Sequence, residues 1–262
     1  LLPRAHPPTP RAAQPPGGCL EGTWPMNGVK ALLFDTFGTV VDWRGSVARM
    51  AERAAKSKGF NGLDGDAFAR SWRAGYRPGM APVISGQRPW TPIDVIHRER
   101  LDVILEEFEI ASLFDDDARA DLNLSWHRLD PWPDSVPGLL RLKRRFVIGP
   151  LSNGSTMLLA NMAKRAGIPW DLIMSSDVTK AYKRHPNAYL NACSAMGLQT
   201  SEVMMCAAHN DDLEAAQSHG MRTAYINRPY EYGPDQTKDF EATGPWDIVT
   251  DRIEGVADAL DC

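Results

Sequence analysis

Several things are scarce in this sequence, and each scarcity closes a route. Only four of the 262 residues are cysteine: Cys19, Cys193, Cys206 and Cys262. They are scattered and form no Cys-x-x-Cys, and with the six histidines they offer no close set of zinc ligands. They read as free thiols, which points to a reducing compartment, the cytoplasm. Long basic blocks are absent and the formal net charge is −4, so a surface that tracks nucleic-acid phosphates is not expected. No apolar run approaches the ~18 residues of a membrane span. The N-terminal region also lacks the apolar core of ~7–15 residues that a secretory signal carries. Neither a membrane nor a nucleic acid is therefore expected as a partner.

Large apolar residues are few in Leu1–Pro25, which instead holds seven prolines and shows no periodicity. Such a stretch cannot bury enough surface to fold. Ordered protein is expected to begin near Met26, with residues 1–26 a disordered Pro-rich extension or translated leader. A Pro-rich ligand for a partner domain is the alternative.

After Met26 the chain alternates apolar runs with amphipathic stretches. Val29–Phe34, Phe146–Leu151, Leu172–Ser175, Val203–Ala207, Thr223–Ile226 and Ile248–Thr250 read as strands. Helical patterns at Ser155–Ala166, Pro186–Met196, Asp212–His219 and Ile253–Leu260 lie among them. Gly167, Gly197 and Gly220 follow the first three, where a helix-ending glycine belongs. This alternation predicts an α/β fold with a parallel sheet and helices on both faces. From about Trp43 to Asp134 the alternation stops and the pattern is helical, so the segment reads as an insert after the first strand.

Ligands of open α/β sheets bind outside the carboxyl ends of the strands. Four such ends carry polar residues here. The first strand runs into Asp35-Thr36-Phe37-Gly38-Thr39, and Phe146–Leu151 into Ser152-Asn153-Gly154. The segment after Leu172–Ser175 carries Lys183, and Val203–Ala207 leads to His209-Asn210-Asp211-Asp212. A carboxylate at a sheet rim is placed to be a nucleophile, although a lone Asp35 could equally cap a turn.

An Asp, a Ser/Asn turn, a Lys and an Asp in that order resemble the haloacid dehalogenase superfamily, over about residues 28–262. The phosphatase majority of that superfamily carries Asp-x-Asp and a further metal-binding acid in its fourth motif. Phe37 and Ala208 stand at those two positions here. The (S)-2-haloacid dehalogenase branch (type II) is more similar. Its Asp-x-aromatic-Gly-Thr matches Asp35–Thr39, and its Leu-Ser-Asn-Gly matches Leu151–Gly154. Its Lys and the Tyr six residues on match Lys183 and Tyr189, and its cap Trp-Arg pair matches Trp72-Arg73.

The resemblance implies a Rossmann-like parallel sheet core, residues 27–42 and 135–262, with an inserted helical cap domain, residues 43–134. It implies hydrolysis of short (S)-2-haloacids to (R)-2-hydroxy acids and halide through an Asp35 ester. Lys183 would keep Asp35 ionised, Arg73 would take the departing halide, and Asp212 would hold Lys183 or activate water. Thr39, Phe37, Ser152, Asn153 and Tyr189 would bind or orient substrate, Ser152 holding its carboxylate. His209 and Asn210 are further candidates. The family pattern Ser-x-Asn-x-x-Asp has become Ala207-Ala208-His209-Asn210-Asp211-Asp212, so the ester-hydrolysis half-reaction is where this chain should differ. No metal or cofactor is implied, and a homodimer is a candidate assembly. Arg77 rivals Arg73 as anion partner. The alternatives are a Mg²⁺-dependent phosphatase with Asp211 as replacement carboxylate, and a non-catalytic carboxylate binder.

Overall fold

The computed structural model describes residues 28–262, so the expectation for residues 1–26 lies outside them. Strand β1 (Ala31–Phe34) leads through a tight turn to β2 (Val41–Asp42). Helices α1 (Trp43–Ser57), α2 (Gly65–Ala74), α3 (Tyr76–Ile84), α4 (Ile93–Glu107) and α5 (Asp116–Asn123) follow, before β3 (Asp130–Pro131) pairs antiparallel with β2. Then come α6 (Ser135–Leu142), β4 (Val147–Ser152), α7 (Thr156–Ala166), β5 (Met174–Ser175), α8 (Ser176–Thr179) and α9 (Pro186–Ala195). The chain ends with β6 (Val203–Ala207), α10 (Asn210–Ser218), β7 (Arg222–Ile226), β8 (Ile248–Thr250) and α11 (Ile253–Ala259). None of the described helices is long and apolar enough to cross a membrane.

The main sheet has six parallel strands in the order β5-β4-β1-β6-β7-β8. β1 is central because all four of its side chains are apolar and fully buried, as a strand covered on both faces requires. Leu32 lies between Ile148 and Met204 in register. The period of two sends Leu32 and Phe34 to one core and Ala31 and Leu33 to the other. The Leu32 core continues into the helical insert, where Trp43, Trp72 and Trp126 are buried. The insert is therefore joined to the sheet core through one continuous apolar cluster.

Strand order reverses around β1, with β4 on one side and β6 on the other. That switch point opens the crevice where α/β folds bind ligands. Local signals place the returning helices. Ser155 caps α7 by accepting from Leu158 N–H at 3.2 Å, and Gly167 ends it at φ +67°.

Three elements differ from the expectation. The first strand, expected over Val29–Phe34, is only Ala31–Phe34. The strand expected over Leu172–Ser175 is only Met174–Ser175. Asp171 takes both backbone groups of Ile148: its N–H donates to Ile148 O at 2.9 Å and its Oδ2 accepts Ile148 N–H at 3.0 Å. The ladder therefore starts later. The helix expected from Asp212 starts at Asn210, after His209 in extended conformation. The β2–β3 pair was not expected, being too short to leave a periodic pattern.

Candidate active site

Asp35 follows β1 and is bound to the sheet by its own backbone, its N–H donating to Cys206 O at 2.9 Å. The turn after it puts Thr39 beneath its side chain. Thr39 Oγ1 donates to Asp35 Oδ2 at 2.7 Å and accepts Ala208 N–H at 2.9 Å. Lys183 arrives from the loop between α8 and α9. Its Nζ lies 2.8 Å from Asp35 Oδ1 and 2.6 Å from Asp212 Oδ2. Asn153 fixes that loop, its Oδ1 accepting Lys183 N–H at 2.7 Å.

Asp212 is wholly buried, the first-turn acid of α10. It accepts from Lys183, from Tyr189 OH at 2.6 Å, and lies 3.3 Å from Arg184 Nη1. Burial works against the charge on Asp35, but the Lys183 ammonium and then His209 outweigh it and hold the carboxyl well below its usual range. Burial likewise works against the Lys183 charge, and Asp212 and Asp35 overcome it, pushing its pKa up. Lys183 Nζ is thus shared between the side chains of Asp35 and Asp212.

A second arrangement meets Asp35 from the opposite side. His209 Nδ1 lies 3.1 Å from Asp35 Oδ2, and its Nε2 lies 2.9 Å from Glu231 Oε2. Glu231 is 1% exposed and also accepts Trp43 Nε1–H at 2.9 Å. Burial would strip the His209 proton, but the Glu231 and Asp35 carboxylates push its pKa up to about 10. The loop carrying Glu231 is held by Arg228, which forks onto Asp134 at 2.9 and 2.8 Å and donates from Nε to Thr39 O at 3.0 Å. Gly38 makes the approach feasible. A Cβ there would overlap the Glu231 carboxyl, and its φ of +90° suits glycine.

Above Asp35 opens a cavity of about 640 Å³. Arg73, from the end of α2, lies on its wall with its guanidinium 4.0 Å from the Tyr76 ring centre, 5.4 Å from Trp43 and 5.7 Å from Phe37. Its Nη1 is buried without a hydrogen-bond partner among the described residues. Such a group is costly unless an anion completes it. The rival Arg77 is already occupied, pairing with Asp211 at 2.7 Å.

The structure thus brings Asp35, Lys183, Asp212, Thr39, Asn153, Phe37, Arg73 and His209 together, and moves three expected residues away from the cavity. Ser152 is not on its wall; its Oγ is buried and accepts Gly154 N–H at 3.2 Å. Tyr189 lies behind Asp212, fully buried. Asn210 turns to the loop after β7, its side chain bonding Asp239, Glu241, Thr243 and Trp246. Glu231, Arg228, Tyr76 and Tyr232 were missed. The loop that carries Glu231 and Tyr232 has no periodicity, and the one trace of it in sequence is Gly38.

The donor set does not fit a catalytic Mg²⁺. Asp35 and Asp212 share Lys183, the Ala208 side chain has no ligand atom to offer, and Asp211 is turned to Arg77 and to Arg184 at 2.6 Å. No group of three or more His, Cys, Asp or Glu among the described residues could hold a metal ion.

Residues 29–220 match the family model of haloacid dehalogenase-like hydrolases. Among solved structures, the chain is similar to the defluorinating L-2-haloacid dehalogenase Rha0230, with 49% identity, a TM-score of 0.87, and 89% of this chain and 96% of that one covered. It is also similar to the L-2-haloacid dehalogenase PA0810, with 39% identity, a TM-score of 0.84, and coverage of 89% and 100%. The (S)-2-haloacid dehalogenase of Xanthobacter autotrophicus is 26% identical over 205 residues, 76% of each chain.

Proposed function

Because this chain belongs to the haloacid dehalogenase-like hydrolases, we propose that it is an (S)-2-haloacid dehalogenase working through an ester on Asp35. The observation that carries the reading is a desolvated carboxylate facing an unpaired guanidinium across an apolar-walled cavity, with Phe37 and Ala208 where a phosphatase needs acids. Of the described residues, we take 28–42 and 135–262 as the core that holds Asp35, and 43–134 as the cap that brings Arg73. The thiols of Cys193 and Cys206, free in the structure, suit a reducing cytoplasm.

An Asp35 oxygen attacks C2 from the side opposite the halogen. The C2–O bond forms, the carbon–halogen bond breaks, and the halide leaves with the bonding pair. Arg73 stabilises the growing negative charge, and its aromatic surround keeps it in place and dry. A halide needs no proton, so Phe37 costs nothing. Lys183 keeps Asp35 ionised, and Asp212, with Tyr189 behind it, keeps Lys183 in place. Asn153, with Oδ1 committed to the Lys183 N–H, has its amide NH₂ free for the substrate carboxylate. Ester formation removes the charge on Asp35, and His209, left beside one carboxylate instead of two, gives its extra proton to solvent.

His209 then becomes the base for a water attacking the Asp35 carbonyl carbon. It takes one proton from that water. Collapse of the tetrahedral adduct breaks the bond from the carbonyl carbon to the C2 oxygen, and His209 returns the proton to the leaving alkoxide. The product is the (R)-2-hydroxy acid, and the regenerated Asp35 carboxyl passes its proton to His209, 3.1 Å away, which restores the resting ion pair. Glu231 orients His209 throughout. Asp212 is fully buried and held by hydrogen bonds from Lys183 and Tyr189 and by its ion pair with Arg184, so it is a positioning residue here rather than the base.

The test is a single turnover of (S)-2-chloropropionate in ¹⁸O water, with mass analysis of the peptide holding Asp35. Label in that carboxylate is expected, with halide release indifferent to chelator. Label confined to the product would refute the ester, and Mg²⁺-dependent release of phosphate from p-nitrophenyl phosphate would favour the phosphatase reading.

A further inference from the structure

The cavity over Asp35 is larger than the reacting atoms need. Its volume of about 640 Å³ lies within the ~300–1,000 Å³ of pockets that enclose drug-sized ligands. A three-carbon acid fills only its inner end, where Asp35, Lys183, Asn153, His209 and Arg73 converge. The outer wall belongs to the cap. Ala74 closes α2, and Tyr76, Met80 and Ile84 follow at intervals of four on α3, so they share a side of that helix, with Ala81 beside them.

Tyr76 and Met80 at the inner end of that side are mostly buried in the cap core, Tyr76 stacked on His97 of α4, and the outer end is left open. Ile84 is 42% exposed, and Ala74 and Ala81 are exposed as well. Beside it, α3 packs closely on α4, where a Cβ on Gly79 would run into Ile96. Two arginines on the cavity wall are already paired, Arg70 with Asp66 at 3.1 Å and Arg77 with Asp211 at 2.7 Å. What remains for a ligand is an apolar strip leading away from the nucleophile.

We propose that this face of α3 is the subsite for an apolar C2 substituent, and that the substrates are 2-haloacids bearing a linear chain of roughly four to six carbons. The proposal rests on the dehalogenase reading. The carboxylate and halogen occupy the charged inner end while the chain lies along Met80, Ala81 and Ile84. Lys238 is on the cavity wall, 4.5 Å from the Tyr232 ring centre, with no carboxylate partner among the described residues. A substrate with a distal carboxylate is therefore the occupant to be tested against the alkyl chain.

The experiment measures halide release from (S)-2-bromopropionate, -butanoate, -hexanoate and -octanoate, and from 2-bromoadipate. kcat/KM is expected to rise roughly three- to fourfold per methylene up to hexanoate, the usual gain for a buried CH₂. Ala81→Trp and, separately, Ile84→Trp should cut the hexanoate-to-propionate ratio more than tenfold. A flat or falling series with propionate still turned over would overturn the subsite and leave the dehalogenase reading standing. A preference for 2-bromoadipate over 2-bromohexanoate would overturn it in favour of a distal anion. No halide from any member, propionate included, would overturn both readings.

Discussion

Replacing His209 with Gln should separate the two halves of the reaction. The imidazole lies between two carboxylates, 3.1 Å from Asp35 and 2.9 Å from Glu231, and is charged at neutral pH in the resting protein. A charged imidazole is no base. Esterification of Asp35 deletes one of its two anionic neighbours. A unit charge at ~4 Å and an effective dielectric of ~20 is worth about 4 kcal/mol. That changes a proton equilibrium by about three decades, enough to return His209 to the range where it can accept a proton near pH 7. The base is thus switched on by the intermediate it must hydrolyse. Gln keeps a donor toward Glu231 but cannot act as a base. Loss of general base catalysis costs ~10²–10⁴, while Lys183 and Arg73 leave alkylation intact. Rapid-quench assays on His209→Gln should show a burst of one halide per active site, then a steady rate lower by that factor. The Asp35 peptide should carry the acyl adduct. A linear trace at the wild-type rate, or a slow first turnover with no adduct, would refute the assignment.

Arg73→Ala should lower kcat/KM by ~10²–10³, the usual loss for one donor to developing charge. Arg77→Ala should cost less than about tenfold, because its pair with Asp211 is exposed; equal losses in steady-state kinetics would put the anion site elsewhere. Gly38→Ala should destabilise by at least ~1–3 kcal/mol for the positive φ alone and slow ester hydrolysis by displacing Glu231, readable in urea melts and halide bursts. The pH dependence of stability follows from the two shifted groups. The His209 pKa is raised above its ordinary 6.5 to about 10, so its contribution is full below pH 6.5 and lost as pH rises through about 10. The Asp35 pKa is lowered below 3.8, so its contribution is full above that value and lost as pH falls further. Urea melts should therefore show the gap between wild type and His209→Gln shrinking from pH 6.5 upward; a gap that widens would refute the linkage.

The parallel sheet and its order of polar strand ends were legible because each strand is a short apolar run stopped by a polar turn. β5 was overextended because the side chain of Asp171 substitutes for ladder bonds, which no hydrophobic pattern records. Ser152 and Asn210 were expected in the cavity from their motif neighbours. Adjacency along the chain says little about direction just after a strand end, and each side chain found a local backbone or loop partner instead.

The departure at position 209 was visible in sequence, but its partner was not. Two independent constraints bring Glu231 there: the Arg228 fork that ties its loop to Asp134 and Thr39, and the room left by Gly38. A glycine beside a nucleophile is ordinarily read as a demand of the turn, and φ +90° confirms that demand. The same missing Cβ also admits a carboxylate. Glycine in this turn and histidine at position 209 are then one device rather than two observations. A side chain at position 38 should disable hydrolysis as His209→Gln does, leaving the ester to accumulate. Normal ester turnover in a folded Gly38→Ala protein would show that Glu231 is a packing residue and not the partner of the base.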